Sequence, residues 1–541
     1  MFELIARDAA GRLGRLSTPH GEVITPNLMP VYNPNIPLIP AKELEQEFKI
    51  QMLITNAYII YRTPALREKA IKGVHNLIGF HKTIMTDSGA YQAWIYKKEL
   101  NVSNREIIQF EEILEPDIAT ILDVFTETND YNIARDGVEK TIKAAEECLE
   151  IRKKEKILWA APIQGGQFLD LLAYCAKKLS ALDFQIHPLG TLAPSLQSYN
   201  YKQVAETILI TKQNLNPGRP LHGFSIGHPM FLALAVALGV DLFDSSAYAL
   251  FARDNRYLTV NGTLKFDSLE EFPCICPICI KYTPQDLKEL NIHDKHYLLA
   301  KHNLYVTIGE IKRIHVAIRE NWLWELVQER ARAHPTLLNA LTYVLSNYPE
   351  FFLKYDPITK KKGFFFGGNE SLLRPEVVRH KKKLNEIYSP PSAAQILLII
   401  PDLDIRFQNS PQFQKWIDTI NQTPHKELIH LCFYSPVFGI IPEELRDIYP
   451  LSQHEYPEIN DLQIDHHAEA IFQIYLKTHQ SNYKYFCIFR PKQYYNNNNQ
   501  ERELLRHPID AIINKPYEKF AVFSSMEELK IHLEELIKKL S

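Results

Sequence analysis

From about residue 50 to residue 250 the chain alternates short apolar runs with amphipathic stretches, and no other feature restricts its fold as much. The runs are MLITNA from Met52, TIMTDSG from Thr83, DIATILD from Asp117, LWAAPIQG from Leu158, FQIHPLG from Phe184, LHGFSIG from Leu221 and VDLFDS from Val240. Between them lie helical patterns such as ARDGVEKTIKAAEECLEIRKK and YKQVAETILITKQNL. Repeated strand–helix alternation predicts a parallel sheet, because parallel neighbours need a crossover and a helix is the usual one. Seven units come close to the eight of a (β/α)8 TIM barrel. The eighth strand is expected near residue 304 or in the N-terminal segment. A doubly wound open sheet is the structural alternative, but no GxGxxG dinucleotide fingerprint is present.

Most of these runs end in an acid, an amide or glycine: Asn56, Asp87, Asp123, Gln164, Gly190, Gly227 and Asp244. In a TIM barrel the C-terminal strand ends and their loops build the active site, so polar strand ends are the expected signature. Helix capping also wants Asp or Asn after a strand. Capping accounts less well for Asp87, which stands directly before Ser88-Gly89.

After residue 305 a long helical stretch runs to about 346. Residues 1–346 are therefore expected to form one catalytic barrel domain. Residues 347–394, with NEIYSPPSAAQ at their end, read as a connecting segment and linker. From residue 395 to 541, the strand-like QILLIIPDLD, HLCFYSPVFGI and YKYFCIFR and the closing helix SMEELKIHLEELIKKL predict a smaller α/β domain. NNNNQ at 496–500 reads as a polar loop. Two basic runs, Lys360 to Lys362 and Arg379 to Lys383, read as solvated surface or as phosphate contacts.

Cysteine use points to a metal. Of seven cysteines, three fall within six residues: Cys274, Cys276 and Cys279. The other four (Cys148, Cys175, Cys432, Cys487) sit in apolar contexts and read as core. An odd count in a long chain argues against a disulfide scaffold and for a reducing cytoplasm. Three thiolates with one histidine make a tetrahedral set suited to Zn2+, with no position left for a substrate water, so the zinc is structural. Spacing alone leaves the histidine open among His293, His296, His302 and His315. A zinc hydrolase would need an open coordination position. No apolar run approaches the ~18 residues of a membrane-spanning helix, and MFELIARDAAGRLGRL, charged throughout and without an apolar h-region, argues against a secretory signal. The net charge of -3 neither suggests nor excludes a nucleic-acid partner.

In combination these motifs resemble the tRNA-guanine transglycosylases, in particular the archaeal type. The resemblance rests on Asp87-Ser88-Gly89-Ala90-Tyr91-Gln92, Pro162-Ile163-Gln164-Gly165-Gly166, Gly227-His228-Pro229, Asp241-Leu242-Phe243-Asp244-Ser245 and the cysteine cluster. LAKHNLY from Leu299 resembles the family's zinc-histidine segment and selects His302. The likeness covers about residues 1–345. SPVFGIIPEELRDIYPLSQ looks like the archaeal family's extra domain, and the segment SSAYALFARDNRYLT after Asp244 looks archaeal rather than bacterial.

The resemblance implies a structural-zinc TIM barrel that removes guanine 15 from the D-loop of tRNA and inserts 7-cyano-7-deazaguanine (preQ0), toward archaeosine. Exchange on one ribose carbon with retained configuration calls for a double displacement through a carboxylate nucleophile. By resemblance Asp244 is that nucleophile and Asp87 the general acid/base. Asp123 and Gln164 match the guanine edge, and Ser88, Gly165 and Gly190 complete the substrate contacts. Asp123 as a helix cap and the glycines as plain turns are the structural alternatives. Two competing functions, an archaeosine synthase-like paralogue and a non-catalytic tRNA-binding subunit, are expected to lack the Asp87/Asp244 pair. The family forms homodimers, and archaeal members often end in a PUA RNA-binding domain. The last residues here show no such pattern, which predicts a separate PUA-containing polypeptide or a different grip on tRNA.

Overall fold

The computed structural model describes residues 2–90, 102–402, 417–457, 462–490, 493–495, 501–503 and 520–540. Tyr91 and Gln92 of the first motif, and the loop at 496–500, lie outside them. The chain divides into two compact units, Met1–Pro357 and Ile358–Ser541.

The first unit opens with an antiparallel sheet of β1 (Phe2–Asp8), β2 (Gly11–Thr18) and β3 (Gly21–Thr25). Eight parallel strands follow: β4 (Asn27–Pro30), β5 (Met52–Asn56), β6 (Thr83–Asp87), β7 (Ile118–Thr120), β8 (Leu158–Ala160), β9 (His187–Leu189), β10 (Leu221–Gly223) and β11 (Leu242–Ser245). They form two four-stranded sheets in the orders β4-β11-β10-β9 and β5-β6-β7-β8. Parallel bridges Val31–Ile54 and Ala160–Ile186 lie between the two sheets. Strands such as β5 are buried along their whole length, which is why they read as unbroken apolar runs rather than as alternating ones. Met29, Ile54, Met85, Ile118, Ala160, Ile186 and Leu242 share one apolar cluster with Leu16 and Val23 of the opening sheet.

The eighth parallel strand is β4, in the N-terminal segment. Residue 304, the other expected place for it, lies inside the helix Ile292–Glu320. The amphipathic stretches form the helices between strands. Tyr131–Ile151, for example, begins at Asp130, whose side chain accepts from the amides of Asn132 and Ile133. After β11 come a hairpin, Arg256–Thr259 with Gly262–Lys265, the cysteine cluster, and the helix Ile292–Glu320. That helix ends at Asn321 in a left-handed conformation (φ 58°), and Leu323–Ala331 and Pro335–Asn347 follow.

The second unit is built on a five-stranded sheet. Strands Ile429–Ser435, Ile396–Pro401, Tyr485–Phe489 and Phe520–Phe523 run parallel, and Gly439–Pro442 folds back antiparallel on the first of these. Side chains of the central strand alternate between two cores. Ile396, Leu398 and Ile400 pack with Leu529 and Leu533 of the last helix, while Leu397 and Ile399 pack with Ile471, Phe472 and Tyr475.

Residues 347–394, expected as connecting segment and linker, hold the helices Pro349–Tyr355 and Pro375–Glu386, and the division between units falls within them, after Pro357. Part of their basic charge is neutralised inside the second unit. Lys360 Nζ stands 3.1 Å and Arg374 2.6 Å from the buried Glu376 carboxylate. Cys148, Cys175, Cys432 and Cys487 are free and buried. Among the described residues no helix is long and apolar enough to cross a membrane.

Candidate active site

Parallel strands bring their C-terminal ends to one side, and the polar residues there meet. Asn56 ends β5 and Asp87 ends β6, while Asp123, Gln164 and Gly190 follow β7, β8 and β9. With Asp244 on β11 they line a cavity of about 150 Å³, closed in by Val31, Phe125, Leu192 and Phe224. Asp244 also lines a neighbouring cavity of about 470 Å³ bounded by Tyr32, Leu196 and Phe251. It therefore stands where the small pocket opens into the larger groove.

The carboxylates are held differently. Asp244 Oδ1 accepts from His222 Nε2 at 2.9 Å and from the Ser225 amide at 3.0 Å. Asp87 Oδ2 accepts from Asn56 Nδ2 at 2.8 Å, and Asn56 Oδ1 caps the next helix at Ile59 N. Burial pushes the Asp87 carboxyl up to about 7; the charges of Asp123 and Asp244 add to the rise, against the Gly89 amide and Asn56. Gly89 is needed here. Its φ of +97° suits glycine, and a Cβ would come within 2.5 Å of Tyr58 Cβ. Burial likewise raises Asp123 to about 6, opposed by the hydrogen bond from Gln164 Nε2. Gln164 Oε1 is buried with no partner among the described residues. A Cβ at Gly190 would collide with the Gln164 amide, so glycine there lets the amide stand over the pocket floor.

A second constellation lies beyond the hairpin. Cys274, Cys276, Cys279 and His302 bring their ligand atoms within 4.8 Å of one another, a set able to hold a metal ion. His302 Nδ1 is 3.5 Å from Cys276 Sγ and 3.3 Å from Cys279 Sγ. Its Nε2 donates to the Leu258 carbonyl at 2.9 Å, which leaves Nδ1 as the lone-pair nitrogen. His20, His75 and Asp117 also converge, but the two imidazoles are stacked 3.7 Å apart at 23°. Nearly parallel rings cannot aim both in-plane lone pairs at one ion, and each instead bonds to Asp117 at 3.0 Å.

Residues 8–336 match the family described as TGT, queuine tRNA-ribosyltransferase. A protein of Methanocaldococcus jannaschii named tRNA-guanine(15) transglycosylase is 42% identical over 85% of this chain and 69% of its own length. Proteins of the same name from Methanococcus aeolicus (44%, covering 87% and 71%) and Methanobrevibacter smithii (39%, covering 85% and 70%) are similar too. The chain belongs to the tRNA-guanine transglycosylase family.

Of the residues singled out in this transglycosylase from sequence, Asp87, Asp123, Gln164, Gly190 and Asp244 line the small cavity. Ser88 is fully buried beside them. Gly165 does not line the cavity; with φ +149° it packs against the helix Leu169–Ser180, where a Cβ would meet Leu172 N at 2.6 Å. His228 of the Gly-His-Pro motif caps the helix Pro229–Ala237. Sequence reasoning missed Asn56 as a partner of Asp87, His222 and Ser225 as partners of Asp244, and the two phenylalanines of the pocket wall. The first had a signal, an amide at a strand end. The others lie in LHGFSIG, where nothing local marks a histidine facing a carboxylate one strand away.

Proposed function

We propose that this transglycosylase exchanges guanine 15 of the tRNA D-loop for preQ0, by double displacement through a covalent aspartyl-ribose intermediate. The observation that carries the reading is the meeting of three carboxylates in one buried pocket. No lysine or arginine is among the described residues lining it, and the acid Asp87 is raised to about 7. Such a pocket suits proton transfer near neutrality.

Asp244, with Oδ1 occupied by two donors, has Oδ2 free to attack C1′ of the ribose. The C1′–N9 electron pair leaves with guanine, which takes the Asp87 proton. The incoming base returns a proton to Asp87 as its N9 attacks C1′ and releases the Asp244 carboxylate. The small cavity takes the flipped base between Phe125 and Phe224, and the larger one takes the ribose and flanking backbone. Asp123 accepts from the amino and ring N–H groups of the base; Gln164, Ser88 and the backbone at Gly190 complete the recognition frame, and Gly165 shapes the turn that carries Gln164.

The scaffold of this reading is a closed (β/α)8 barrel. It is supported by β4, the first parallel strand, pairing with β11, the last, and by the bridges on the other side. The boundaries 1–346, 347–394 and 395–541 are the proposed functional division, with 395–541 a smaller α/β domain. Zn2+ is the proposed ion at Cys274, Cys276, Cys279 and His302. Tetrahedral zinc–thiolate geometry sets sulfurs about 3.7 Å apart, and Cys276 and Cys279 stand at 3.5 Å. With four protein ligands the ion is structural, and chelation is expected to release one zinc per chain and lower the melting temperature. Free thiols and a thiolate metal site fit a cytoplasmic setting. On the family likeness, a separate PUA-containing protein and a second copy of the chain are the proposed partners beside tRNA.

The test is base exchange. Purified protein and Asp244→Ala are incubated with unmodified tRNA and labelled guanine or preQ0. Label entering the D-loop with wild type alone supports the reading. Tight tRNA binding with no exchange, in zinc-loaded protein supplemented with a PUA protein, would favour the accessory-subunit reading.

A further inference from the structure

We propose that His222 is a positioning residue for the nucleophile: it sets the rotation of the Asp244 carboxylate so that one oxygen faces the ribose. This rests on the exchange reading above.

His222 stands on β10, one strand from Asp244, and is fully buried. Its Nε2 lies 2.9 Å from Asp244 Oδ1, and its Nδ1 has no partner among the described residues. Nothing stands to receive a hydrogen from Nδ1, so the hydrogen sits on Nε2 and points at the carboxylate. His187 on the neighbouring β9 behaves otherwise: its Nδ1 meets the backbone carbonyl of Ala161, as an ordinary core histidine does. The polar contact of His222 is spent on the nucleophile alone.

A second donor reaches the same oxygen. Ser225 adopts a left-handed conformation, φ 62°, which is costly for a residue with a side chain. That turn brings its amide to Asp244 Oδ1 at 3.0 Å. Two donors from different directions on one oxygen stop the carboxylate from rotating about its Cβ–Cγ bond. The other oxygen is left to attack. The imidazole also packs against Phe224, with centroids 4.6 Å apart at 61°. Phe224 lines the base pocket, so one ring braces both the nucleophile and a wall of the base site.

When Asp244 Oδ2 bonds to C1′, Oδ1 becomes the carbonyl oxygen of the ester and gives up most of its charge. The same two donors then hold the ester in line for the second displacement and receive the charge when the carboxylate leaves. His222 transfers no proton in either step.

The test compares His222→Leu with His222→Gln. Leucine fills space without a donor; glutamine places an amide N–H near the position of Nε2. Base exchange and formation of the covalent tRNA–protein adduct are measured for both, beside wild type and Asp244→Ala. We expect kcat of His222→Leu to fall about ten- to a hundredfold, as for a misplaced reacting group. KM for tRNA should stay within about threefold, since the lost interaction is with Asp244 and not with the tRNA. Glutamine should restore most of kcat and the adduct rate. If the leucine variant does not fold, His222→Gln against His222→Asn decides, because the shorter amide does not reach Oδ1.

Wild-type exchange in the leucine variant overturns the inference alone. So does equal loss in leucine and glutamine, or in glutamine and asparagine, which would mark a space-filling role. If wild type itself does not exchange bases, the functional reading falls and takes this inference with it.

Discussion

The two ends of the parallel strands carry the same residue type in opposite electrical settings. The run DIATILD begins with Asp117 and ends with Asp123; VDLFDS holds Asp241 and Asp244. At the N-terminal ends the carboxylates are fully occupied. Asp117 is buried, and burial alone would raise its carboxyl. Hydrogen bonds from His75 and the amides of Ile84 and His20 outweigh that and leave it low. Asp241 is buried as well, but the Arg12 and Lys212 charges beside it, with the Leu221 amide, hold it below the ordinary range. At the C-terminal ends Asp87 and Asp123 meet no cation among the described residues, and burial pushes them up to about 7 and about 6. One end spends its acids on holding strands together; the other keeps them available for chemistry.

The comparison can be broken by removing acids from each end. Asp244→Ala should cost at least about a thousandfold in base exchange, because the nucleophile is lost, with a melting temperature close to wild type. Asp87→Asn should cost about a hundred- to ten-thousandfold, the scale of a general acid/base. In wild type the first displacement needs Asp87 protonated, so kcat/KM for tRNA is expected to fall as pH rises through about 7. An intact rate at pH 9 would remove Asp87 from the role.

At the other end the loss should appear as stability. Asp241→Asn leaves Arg12 and Lys212 buried without their counter-charge. It should cost about 3–5 kcal/mol in denaturant unfolding, with exchange per folded molecule unchanged. The two ends also differ in the sign of their pH dependence. Asp117 and Asp241, lowered by folding, contribute stability above the unfolded carboxylate range that is lost in acid. Asp87 and Asp123, raised by folding, contribute below that range and lose it as pH rises through about 6 to 7. Asp87→Asn should therefore melt no lower than wild type at pH 8. The smallest effect is expected from His20→Ala, whose half-exposed side chain makes a bond worth about 1 kcal/mol or less.

Much of this was legible before any coordinates. Unbroken apolar runs separated by amphipathic stretches gave seven of the eight parallel strands, because buried parallel strands need no polar alternation. The eighth, Asn27–Pro30, is four residues long and is preceded by antiparallel strands instead of a helix, so periodicity left it open. Asp87 and Asp244 stood out as acids closing apolar runs, and Gly89 explains why Asp87 is followed by Ser-Gly. What sequence does not carry is which acid has a partner. Asp117 and Asp123 stand on either side of one strand, and only the folded chain brings His75 to the first and Gln164 to the second. His222 was invisible for the same reason, since its partner lies on the next strand. The basic run at Lys360 read as solvated surface or as phosphate contacts because nothing nearby in sequence shows that Lys360 pairs with the buried Glu376.

The most direct test of the account is to trap the covalent intermediate. Wild type is incubated with unmodified tRNA and no incoming base, denatured, digested with nuclease and protease, and mapped by mass spectrometry. The account predicts a ribose adduct on the peptide carrying Asp244, absent in Asp244→Ala. An adduct on Asp87, or base exchange with no adduct on any acid, would contradict it.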